Sequence, residues 1–583
     1  MRRTVISRRL LIAFFVCLAS GAQWPSASFD AQHTNVSPVA AQCMNKEDFS
    51  ILLDLTSSTL EQHFGSPLVT SNNTVIVAIR TRSSGYHLLR GVNSTGNTVW
   101  EVETGYVLPP IASWTPLYQP VLVGPPGSQL QRVYFAGPGG VLMWRNNLDE
   151  AIALDSGLIA YSPELSLFNN SVFINSGIST NGKAVYFTTR STGALPSVLV
   201  RIDVASGLAT FKSASNLGDG SRFTRFPHQY SAAFSHDGAL LYQLVGVDSV
   251  GGDVWFMAID ADTLEVVNRV VPLDPRSPSL ACFLFDDSSA SPTIGPDGDV
   301  YLGMLGNIVR GITRYTGWLL HFNSDLTERK IPGGFGWDDT AAIVPASAAQ
   351  NYTGQSPYLL FVKYNDYPNV DGRGQGRHRL ALLDPQDFQL DPYNTGQPVM
   401  KIVQSILSPT PSPSFTFPDA LTEWCNNMGA YDPFSQSVYA NNADSYQYRW
   451  DLKANILAEA FRMGDPLFEA YTPSVIGPDG AVYSINKGLM SKITCNFSGV
   501  TATTILPRTT TALTTTPSTT TTAAVDLSCT TYTVRVASNY FAPASLSVRR
   551  GDVISFLWES GRHNVVDVTA DPLSCFVFAR VAL

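Results

Sequence analysis

Charged residues are scarce in this sequence. They make up 15% of its 583 residues, whereas an average soluble domain has roughly 25%. So low a charge content argues against a coiled coil and against a solvated, disordered chain. The 38 Lys and Arg residues are outnumbered by 47 Asp and Glu residues, which gives a net charge of −9. We expect no nucleic-acid partner, because this acidic balance would repel phosphate groups.

Long apolar runs are absent after the N-terminus, so we expect no membrane-spanning helix. Residues 1–22 begin with two pairs of arginines, continue with an apolar run over residues 10–19 and end on small residues. This is the pattern of a secretory signal peptide. An ordinary export signal is favoured over a twin-arginine signal, which the second arginine pair also resembles. The sequence therefore predicts a secreted, extracellular protein.

Familiar catalytic motifs are missing as well. The sequence contains no G-x-S-x-G, no H-E-x-x-H and no P-loop, and none of its cysteines has a metal-ligand spacing such as C-x-x-C. We therefore assign no catalytic residue and no zinc site. A binding role is favoured over an enzymatic one.

Six cysteines follow the signal peptide, and an even number in an exported chain suggests disulfides, with 15 possible connectivities. Cys43 and Cys495 lie near the two ends of the main body, and we favour that pair; Cys282 and Cys425 are further candidates. The chain also contains N-x-Ser/Thr sequons, which are potential glycosylation sites in an exported protein. They are Asn35, Asn72, Asn93, Asn169, Asn351 and Asn496.

A short phrase recurs along the chain. Residues 291–301, SPTIGPDGDVY, nearly repeat as residues 472–483, TPSVIGPDGAVY, and looser copies lie at 231–242, 178–186 and 431–439. Each copy reads as a β-strand, a Pro/Asp/Gly turn and a second strand that ends on an aromatic residue. Several copies are followed by an apolar strand that runs into Asp or Asn. Each unit therefore predicts a four-stranded meander.

The spacing of these units predicts an all-β protein with a β-propeller. The phrase ends at residues 76, 134, 186, 242, 301, 361, 439 and 483. Eight blades follow from this count, and seven blades with one chance match is the alternative. A sandwich or a TIM barrel fits worse, because no amphipathic helices alternate with the strands.

The repeats resemble those of the quinoprotein-like, or PQQ-like, β-propeller family, over roughly residues 60–495. The resemblance implies a central channel, which in that family's enzymes holds a pyrroloquinoline quinone over a calcium ion, capped by a disulfide between adjacent cysteines. This chain has no adjacent pair of cysteines. We therefore do not expect the quinone cofactor, and relatives that serve as binding scaffolds are the better guide to function.

The composition changes abruptly after the propeller. Residues 501–524 contain 13 Thr among 24 residues and two prolines. Such a segment cannot bury a core, and it predicts an extended, O-glycosylated stalk.

The segment after the stalk contains F-x-P at residues 541–543, G-D-x-I-x-F-x-W at 551–558 and H-N-V-V at 563–566. These motifs resemble the first half of a cupredoxin, the plastocyanin or phytocyanin type of blue copper domain. The resemblance implies that His563 matches the first imidazole ligand. Blue copper also needs a second His and a Cys, usually with a Met, and no His follows His563 and no Met follows Met490. We expect a partial cupredoxin-like β-sandwich that binds copper only if the domain is completed; a metal-free loop histidine is the alternative.

One set of side chains could line a carbohydrate groove: Trp318, Trp337 with Asp338 and Asp339, and Trp424. The alternative is that these tryptophans pack between propeller blades.

Five segments are expected from these patterns: a signal peptide (1–22), an N-terminal segment (23–59), the propeller (60–498), a Thr-rich stalk (499–525) and the partial cupredoxin-like domain (526–583). The favoured function is a secreted, glycosylated scaffold that binds a protein or glycan ligand, with a module related to copper binding and electron transfer. The alternatives are a quinoprotein-like dehydrogenase that passes electrons to a copper domain, and a purely structural surface protein.

Overall fold

The computed structural model divides the chain into two compact units, residues 1–500 and 501–583. The residues that it describes are 23–55, 65–81, 87–107, 119–124, 131–151, 155–163, 165, 171–247, 253–283, 290–307, 317–367, 374–391, 396–412, 419–464, 473–486, 488–496 and three strands between 531 and 558. The signal peptide, Asn169, the Thr-rich stalk and His563 lie outside the described residues. Within the described part of the chain, no helix has both the length and the apolar character that a membrane crossing requires.

The first unit is a propeller of eight antiparallel sheets, which we number as blades 1 to 8 in chain order. The chain opens with a single strand, β1 (Lys46–Leu52), before blade 1 begins. Blade 1 contains β2 (Leu68–Val69), β3 (Val75–Arg80), β4 (His87–Val92) and β5 (Thr98–Glu103). Blade 2 contains β6 (Val121–Val123), β7 (Arg132–Ala136), β8 (Leu142–Arg145) and β9 (Ser156–Ile159), with a 3-10 turn at Pro138–Gly140.

Blades 3 and 4 each have a split first strand. Blade 3 contains β10 (Val172–Ile174), β11 (Ser179–Thr180), β12 (Ala184–Ser191), β13 (Val198–Asp203) and β14 (Ala209–Ser213), and a short helix α1 (Ala214–Gly218) follows it. Blade 4 contains β15 (Phe223–Arg225), β16 (Ala233–Phe234), β17 (Leu240–Val247), β18 (Val254–Asp260) and β19 (Val266–Val270).

Blade 5 has three regular strands, and blade 6 has the longest outer hairpin. Blade 5 contains β20 (Thr293–Ile294), β21 (Val300–Met304) and β22 (Trp318–Phe322); single bridges from β22 to Arg329 and Gly333 stand in the place of a fourth strand. Blade 6 contains β23 (Ala342–Pro345), β24 (Tyr358–Tyr364), β25 (Arg379–Leu390) and β26 (Pro398–Leu407), with a 3-10 turn at Ala346–Ala348.

The two ends of the first unit meet in blade 8. Blade 7 contains β27 (Ala430–Asp432), β28 (Ser437–Asn441), β29 (Tyr446–Asp451) and β30 (Ile456–Arg462). Blade 8 contains β31 (Val475–Ile476), β32 (Val482–Asn486) and β33 (Leu489–Thr494), and its outermost strand is β1, which pairs antiparallel with β33. The ring is therefore closed by the N-terminal strand, and the propeller begins before residue 60, where the repeats had placed its start.

A disulfide fastens this closure. Cys43 and Cys495, the pair favoured from the sequence, are bonded with their Cα atoms 4.8 Å apart. They lie directly beside the pairing of Lys46 with Thr494. The other candidates, Cys282 and Cys425, are buried and form no disulfide, because they belong to different blades and each is enclosed by its own surroundings.

The recurring Asp-Gly turn has a local explanation. Gly238, Gly298 and Gly480 have φ values of +70°, +89° and +80°, a conformation that glycine adopts without steric cost. The aspartate before each glycine accepts a hydrogen bond from the backbone N–H two residues after it, at 3.0 to 3.1 Å. Because the turn depends on these few residues alone, the same short sequence can recur in blades 4, 5 and 8.

The aromatic residue that ends each phrase ties adjacent blades together. All eight endpoints lie in the second strand of a blade, which confirms the higher blade count. Tyr186 of blade 3 donates a hydrogen bond to the carbonyl of Ala261 in blade 4 at 2.9 Å. Tyr242 of blade 4 does the same with Ser324 of blade 5 at 2.7 Å. The rings are buried, so each contributes apolar packing between sheets and keeps its hydroxyl paired.

The second unit contains three described strands: β34 (Thr531–Ala537), β35 (Tyr540–Ala542) and β36 (Val553–Trp558). They form one sheet in the order β35-β34-β36. β34 pairs antiparallel with β35 and parallel with β36.

Candidate functional site at the propeller channel

The first strands of the blades surround the propeller channel, and the residues just before them link one blade to the next. These links are short hydrogen bonds that run from backbone N–H groups to a carbonyl or hydroxyl of the neighbouring blade. They are Ile178 to Gln119 (2.9 Å), Gln229 to Asn175 (2.8 Å), Ser231 to Ser291 (3.0 Å), Ser291 to Thr340 (2.9 Å), Thr340 to Asn427 (2.8 Å) and Ser474 to Met428 (3.3 Å). The channel wall is therefore polar and continuous from blade 2 to blade 8.

Residues 24–42, which we call the strap, run along this ring of first strands. The strap forms backbone hydrogen bonds with seven of the eight blades. Its partners are Val69 (two bonds with Trp24, 2.8 and 3.0 Å), Leu122 (with Pro25, 2.8 Å), Phe234 (with Ala31, 2.8 Å), Ile294 (with Gln32, 2.9 Å), Ile343 (with Thr34, 3.0 Å), Tyr431 (with Asn35, 2.8 Å, and Ser37, 2.7 Å) and Gly480 (with Gln42, 2.7 Å). The strap thus satisfies edge groups of the first strands that would otherwise face the channel without partners.

Side chains anchor the strap as well as its backbone. Trp24 is fully buried. The Nδ1 atom of His33 lies 2.8 Å from the carbonyl oxygen of Pro292 in blade 5, and burial lowers the pKa of His33 to about 4. The carboxylate of Asp30 accepts hydrogen bonds from the backbone N–H and the hydroxyl of Thr34, while burial raises the pKa of Asp30.

The strap overturns one expected glycosylation site. Asn35 is 1% exposed, and its side chain donates to the carbonyl of His33 at 3.3 Å. A glycan on Asn35 cannot be accommodated once the strap is in place. Asn72, Asn351 and Asn496 are exposed and Asn93 is half-buried, so the fold leaves those sequons accessible in some degree.

A second group of polar residues, which we call the blade 6–7 cluster, lies between blades 6 and 7. It combines residues that precede the first strands of these two blades with residues at the end of β24. Its members are Asp338, Asp339, Lys363, Asn365, Tyr367, Glu423, Trp424 and Asn426. The first strands all run in the same direction around the ring, so this cluster lies at their starting ends. The hydrogen bond between Gln42 of the strap and Gly480 lies at the opposite, turn end of blade 8.

Lys363 is the positively charged member of the cluster. Its Nζ atom lies 3.9 Å from Oδ2 of Asp338, and both side chains are nearly inaccessible. Its backbone N–H donates to Oδ2 of Asp339 at 3.1 Å. Burial raises the pKa of Asp339 well above its usual value, and the Lys363 charge only partly opposes this. Charge in this site is therefore expensive to maintain.

Asn365 organises the blade 7 side of the cluster. Its amide donates to the carbonyl of Trp424 at 2.9 Å, and its oxygen accepts from the Trp424 backbone N–H at 3.3 Å. The hydroxyl of Tyr367 donates to Oε1 of Glu423. Burial also raises the pKa of Glu423, with Tyr367 and Lys363 opposing the shift. The cluster thus contains two carboxyl groups, those of Asp339 and Glu423, whose pKa values are raised by burial.

Four polar atoms of the cluster have no hydrogen-bond partner among the described residues. They are Oδ1 of Asp339, both polar atoms of the Asn426 amide and Nε1 of Trp424. Asp339 is 1% exposed, and the other two residues are fully buried. Buried polar atoms are almost always paired in folded proteins, by protein, water or ligand. Polar atoms of this kind are candidates for hydrogen bonds with water or with a bound molecule.

The structure brings together part of the carbohydrate groove expected from the sequence. Asp338, Asp339 and Trp424 join the cluster, but as buried residues and not as the walls of an open groove. Trp318 is 1% exposed and packs with the apolar core of blades 3 to 5, as the alternative interpretation had it.

The sequence analysis did not consider Lys363, Glu423 or Asn426 of the cluster. One signal for Lys363 was available. It stands two residues after the phrase endpoint Phe361, where sister repeats have residues such as Leu244, Gly303 and Asn441. A lysine at a position that is uncharged in the other blades indicates a local polar environment.

The residues of the blade 6–7 cluster are a poor match for the pyrroloquinoline quinone that the repeats imply. The quinone carries carboxylate groups, which need cationic partners. The cluster combines the carboxyl groups of Asp338, Asp339 and Glu423 with one cation, Lys363, which already lies 3.9 Å from Asp338. In the described part of the chain, no group of three His, Cys, Asp or Glu side chains is arranged to hold a metal ion.

Comparisons with known proteins give no match by sequence and partial matches by structure. No family model and no curated protein matches the sequence. Among solved structures, a europium-containing methanol dehydrogenase is 11% identical over 80% of this chain and 89% of its own, with a TM-score of 0.47. The quinohemoprotein alcohol dehydrogenase from Comamonas testosteroni is 12% identical over 79% and 70%, with a TM-score of 0.39. Saccharomyces cerevisiae Sqt1 is 9% identical over 78% and 100%, with a TM-score of 0.42.

Proposed function

We propose that the propeller is a binding domain that recognises a hydroxyl-rich ligand, of the glycan type, at the blade 6–7 cluster. The observation that carries this proposal is the set of partnerless buried atoms on Asp339, Trp424 and Asn426. Adjacent hydroxyls of a sugar both donate and accept hydrogen bonds. One hydroxyl can donate to Oδ1 of Asp339 while its neighbour accepts from Asn426 or Trp424.

The charge of the cluster supports a neutral ligand. Burial raises the pKa of Asp339 and Glu423, so an anionic ligand would add a further unfavourable charge. A neutral polyol adds none and supplies the missing partners. Pairing a buried donor or acceptor removes a desolvation penalty of about 1–3 kcal/mol.

The experiment is a glycan array probed with the full chain, followed by calorimetric titration of the best monosaccharide or oligosaccharide. Asp339→Asn and Asn426→Leu should each weaken binding at least tenfold, while Ser484→Ala should not. Ser484 is a matched control, because it is also fully buried with a partnerless hydroxyl, but in blade 8. Retained binding by both folded cluster variants would contradict the proposed site.

We further propose that the protein is exported and N-glycosylated. The leader-like residues 1–22 support export, and the disulfide between Cys43 and Cys495 suits an oxidising compartment. Expression in a secreting eukaryotic host, followed by enzymatic deglycosylation and peptide mass analysis, should find glycans at exposed sequons such as Asn72 and Asn351 and none at Asn35.

The C-terminal unit supplies a separate proposal, a cupredoxin-like module related to copper binding and electron transfer. The motifs around His563 support it, and β34 and β36 join two of the apolar segments on which the resemblance rests. The test is the true C-terminus of the native protein together with a copper titration of the full chain. A stoichiometric copper signal that His563→Ala removes would support the module. Absence of copper binding in the native full-length protein would rule it out.

A further inference from the structure

Blade 3 is the one blade to which the strap forms no backbone hydrogen bond among the described residues. The strap is bonded to Leu122 in blade 2 and to Phe234 in blade 4, so it passes blade 3 at a distance. A cavity of about 180 Å³ lies in this gap, between the strap and the first strand β11. Gly182, at the rim, is exposed, and this rim gives the cavity access to solvent.

The walls of this cavity are mostly apolar. Ala27, Phe29 and Ala31 line it from the strap, and Ile178 and Ala232 line it from the ring. Such walls favour an apolar ligand, because burying its surface releases water.

The lining also contains hydroxyl groups, and two of them, on Ser179 and Ser26, are available to a ligand. Ser179 is 5% exposed. The Oγ atoms of Ser179 and Ser26 both lack a hydrogen-bond partner among the described residues. Both serines line the cavity. Each hydroxyl can donate or accept, so each matches a ligand hydroxyl.

The two ionisable side chains of the lining, His33 and Asp30, do not favour a charged ligand. Burial keeps His33 neutral near pH 7, since its pKa is lowered to about 4. The Asp30 carboxyl is already engaged by the backbone and hydroxyl of Thr34. A charged molecule would enter this site without an opposite charge to compensate its desolvation.

We propose that this cavity is a binding site for a small, neutral, mostly apolar molecule with one hydroxyl group, of the size and chemistry of phenol. An apolar cavity of about 150 Å³ is known to hold benzene, so the volume here accepts one aromatic ring with a hydroxyl. The ring would contact Phe29, Ile178 and Ala232, and its hydroxyl would bond to Ser179 or Ser26. This proposal is independent of the blade 6–7 cluster.

The experiment compares phenol and benzene as probes of the full-length protein, by calorimetric titration and by ligand-observed NMR. Phenol should bind saturably at one site and about fivefold more tightly than benzene, as one additional hydrogen bond of about 1 kcal/mol provides. Ser179→Ala should lower phenol affinity toward that of benzene. Ser484→Ala, which removes an equally buried partnerless hydroxyl from blade 8, should leave both affinities unchanged.

Ala232→Leu should fill the cavity and abolish binding of both probes. If that variant does not fold, Ala31→Leu gives the same test from the strap side. The proposal is overturned if neither probe binds saturably, or if phenol binds folded Ala232→Leu or Ala31→Leu as it binds the parent. Asp339→Asn should retain phenol binding. The test of the phenol site is therefore independent of the test of the blade 6–7 site, and the failure of one proposal can be distinguished from the failure of the other.

Discussion

Two parts of the propeller's inner ring are built in different ways. Along the first strands, the backbone of the strap forms hydrogen bonds with seven of the eight blades. In the blade 6–7 cluster, by contrast, four buried polar atoms of the side chains lack partners among the described residues. Backbone groups that are hydrogen-bonded stabilise a fold. Buried polar side chains without hydrogen bonds reduce its stability unless water or a ligand supplies the missing partners.

The strap therefore helps to close the ring, whereas the blade 6–7 cluster is where we propose that a ligand binds. Natural proteins tolerate local instability at functional sites and compensate for it elsewhere. The strap and the disulfide beside it are well placed for that compensation, because they join the N-terminal residues to seven blades and to the last strand of the ring.

The largest expected effect comes from breaking the strap. Trp24→Ala removes a fully buried side chain, and such substitutions cost about 3–5 kcal/mol. Urea denaturation of the full chain should show a loss in that range. Trp255→Ala is the control, because Trp255 is only half-buried on β18 and should cost much less. Equal losses in the two variants would mean that the strap is not integral to the fold.

The strap and the neighbourhood of the blade 6–7 cluster each contain a histidine whose pKa is lowered by burial. The pKa values of His33 in the strap and His378 near Tyr367 are both lowered to about 4, although Asp366 opposes the shift at His378. An unfolded histidine has a pKa near 6.5. The unfolded chain therefore binds more protons between these values, and stability falls as pH decreases from about 6.5 to 4, by about 3 kcal/mol per histidine.

His33→Gln and His378→Gln should each flatten this part of the stability-versus-pH curve, measured by denaturation at fixed intervals from pH 7 to pH 4. The effects should add in the double variant, because the residues lie in different regions. A slope that is unchanged in both single variants would show that other groups govern acid stability.

The smallest expected change in stability comes from replacing either of two fully buried asparagines in the blade 6–7 cluster, and the two replacements should differ. Asn365 forms hydrogen bonds with Trp424 and Glu423, whereas Asn426 has no partner for either polar atom among the described residues. Asn365→Leu should destabilise the protein by about 1–3 kcal/mol, since it leaves buried partners unpaired. Asn426→Leu should be neutral or slightly stabilising without ligand. The reverse order in thermal melts would contradict the comparison between satisfied and unsatisfied groups.

The repeats predicted the propeller and its blades well. Every phrase endpoint from residue 76 to residue 483 lies in the second strand of a blade, because the first two strands of each blade and the turn between them recur around the ring. The pairing of Cys43 with Cys495 followed from their places at the two ends of the body. The strap was not predicted, since residues 24–42 carry no strand pattern and their partners are spread over the whole ring.

The candidate site was predicted only in part. The sequence analysis singled out Asp338, Asp339 and Trp424 as polar and aromatic residues, but it did not predict that they are buried. It also expected Asn35 to be accessible to glycosylation. These properties depend on long-range contacts, such as the hydrogen bond between the Ser28 hydroxyl and the sulfur of Met428, 400 residues away.

The sequence by itself determined the strands, the turns and their repetition, because alternating side chains and positive-φ glycines act over a few neighbouring residues. Only the tertiary structure decided which polar groups lie buried together at the channel and which segment closes it. Those outcomes depend on the closure of the ring, which brings residues from opposite ends of the chain into contact and removes their water.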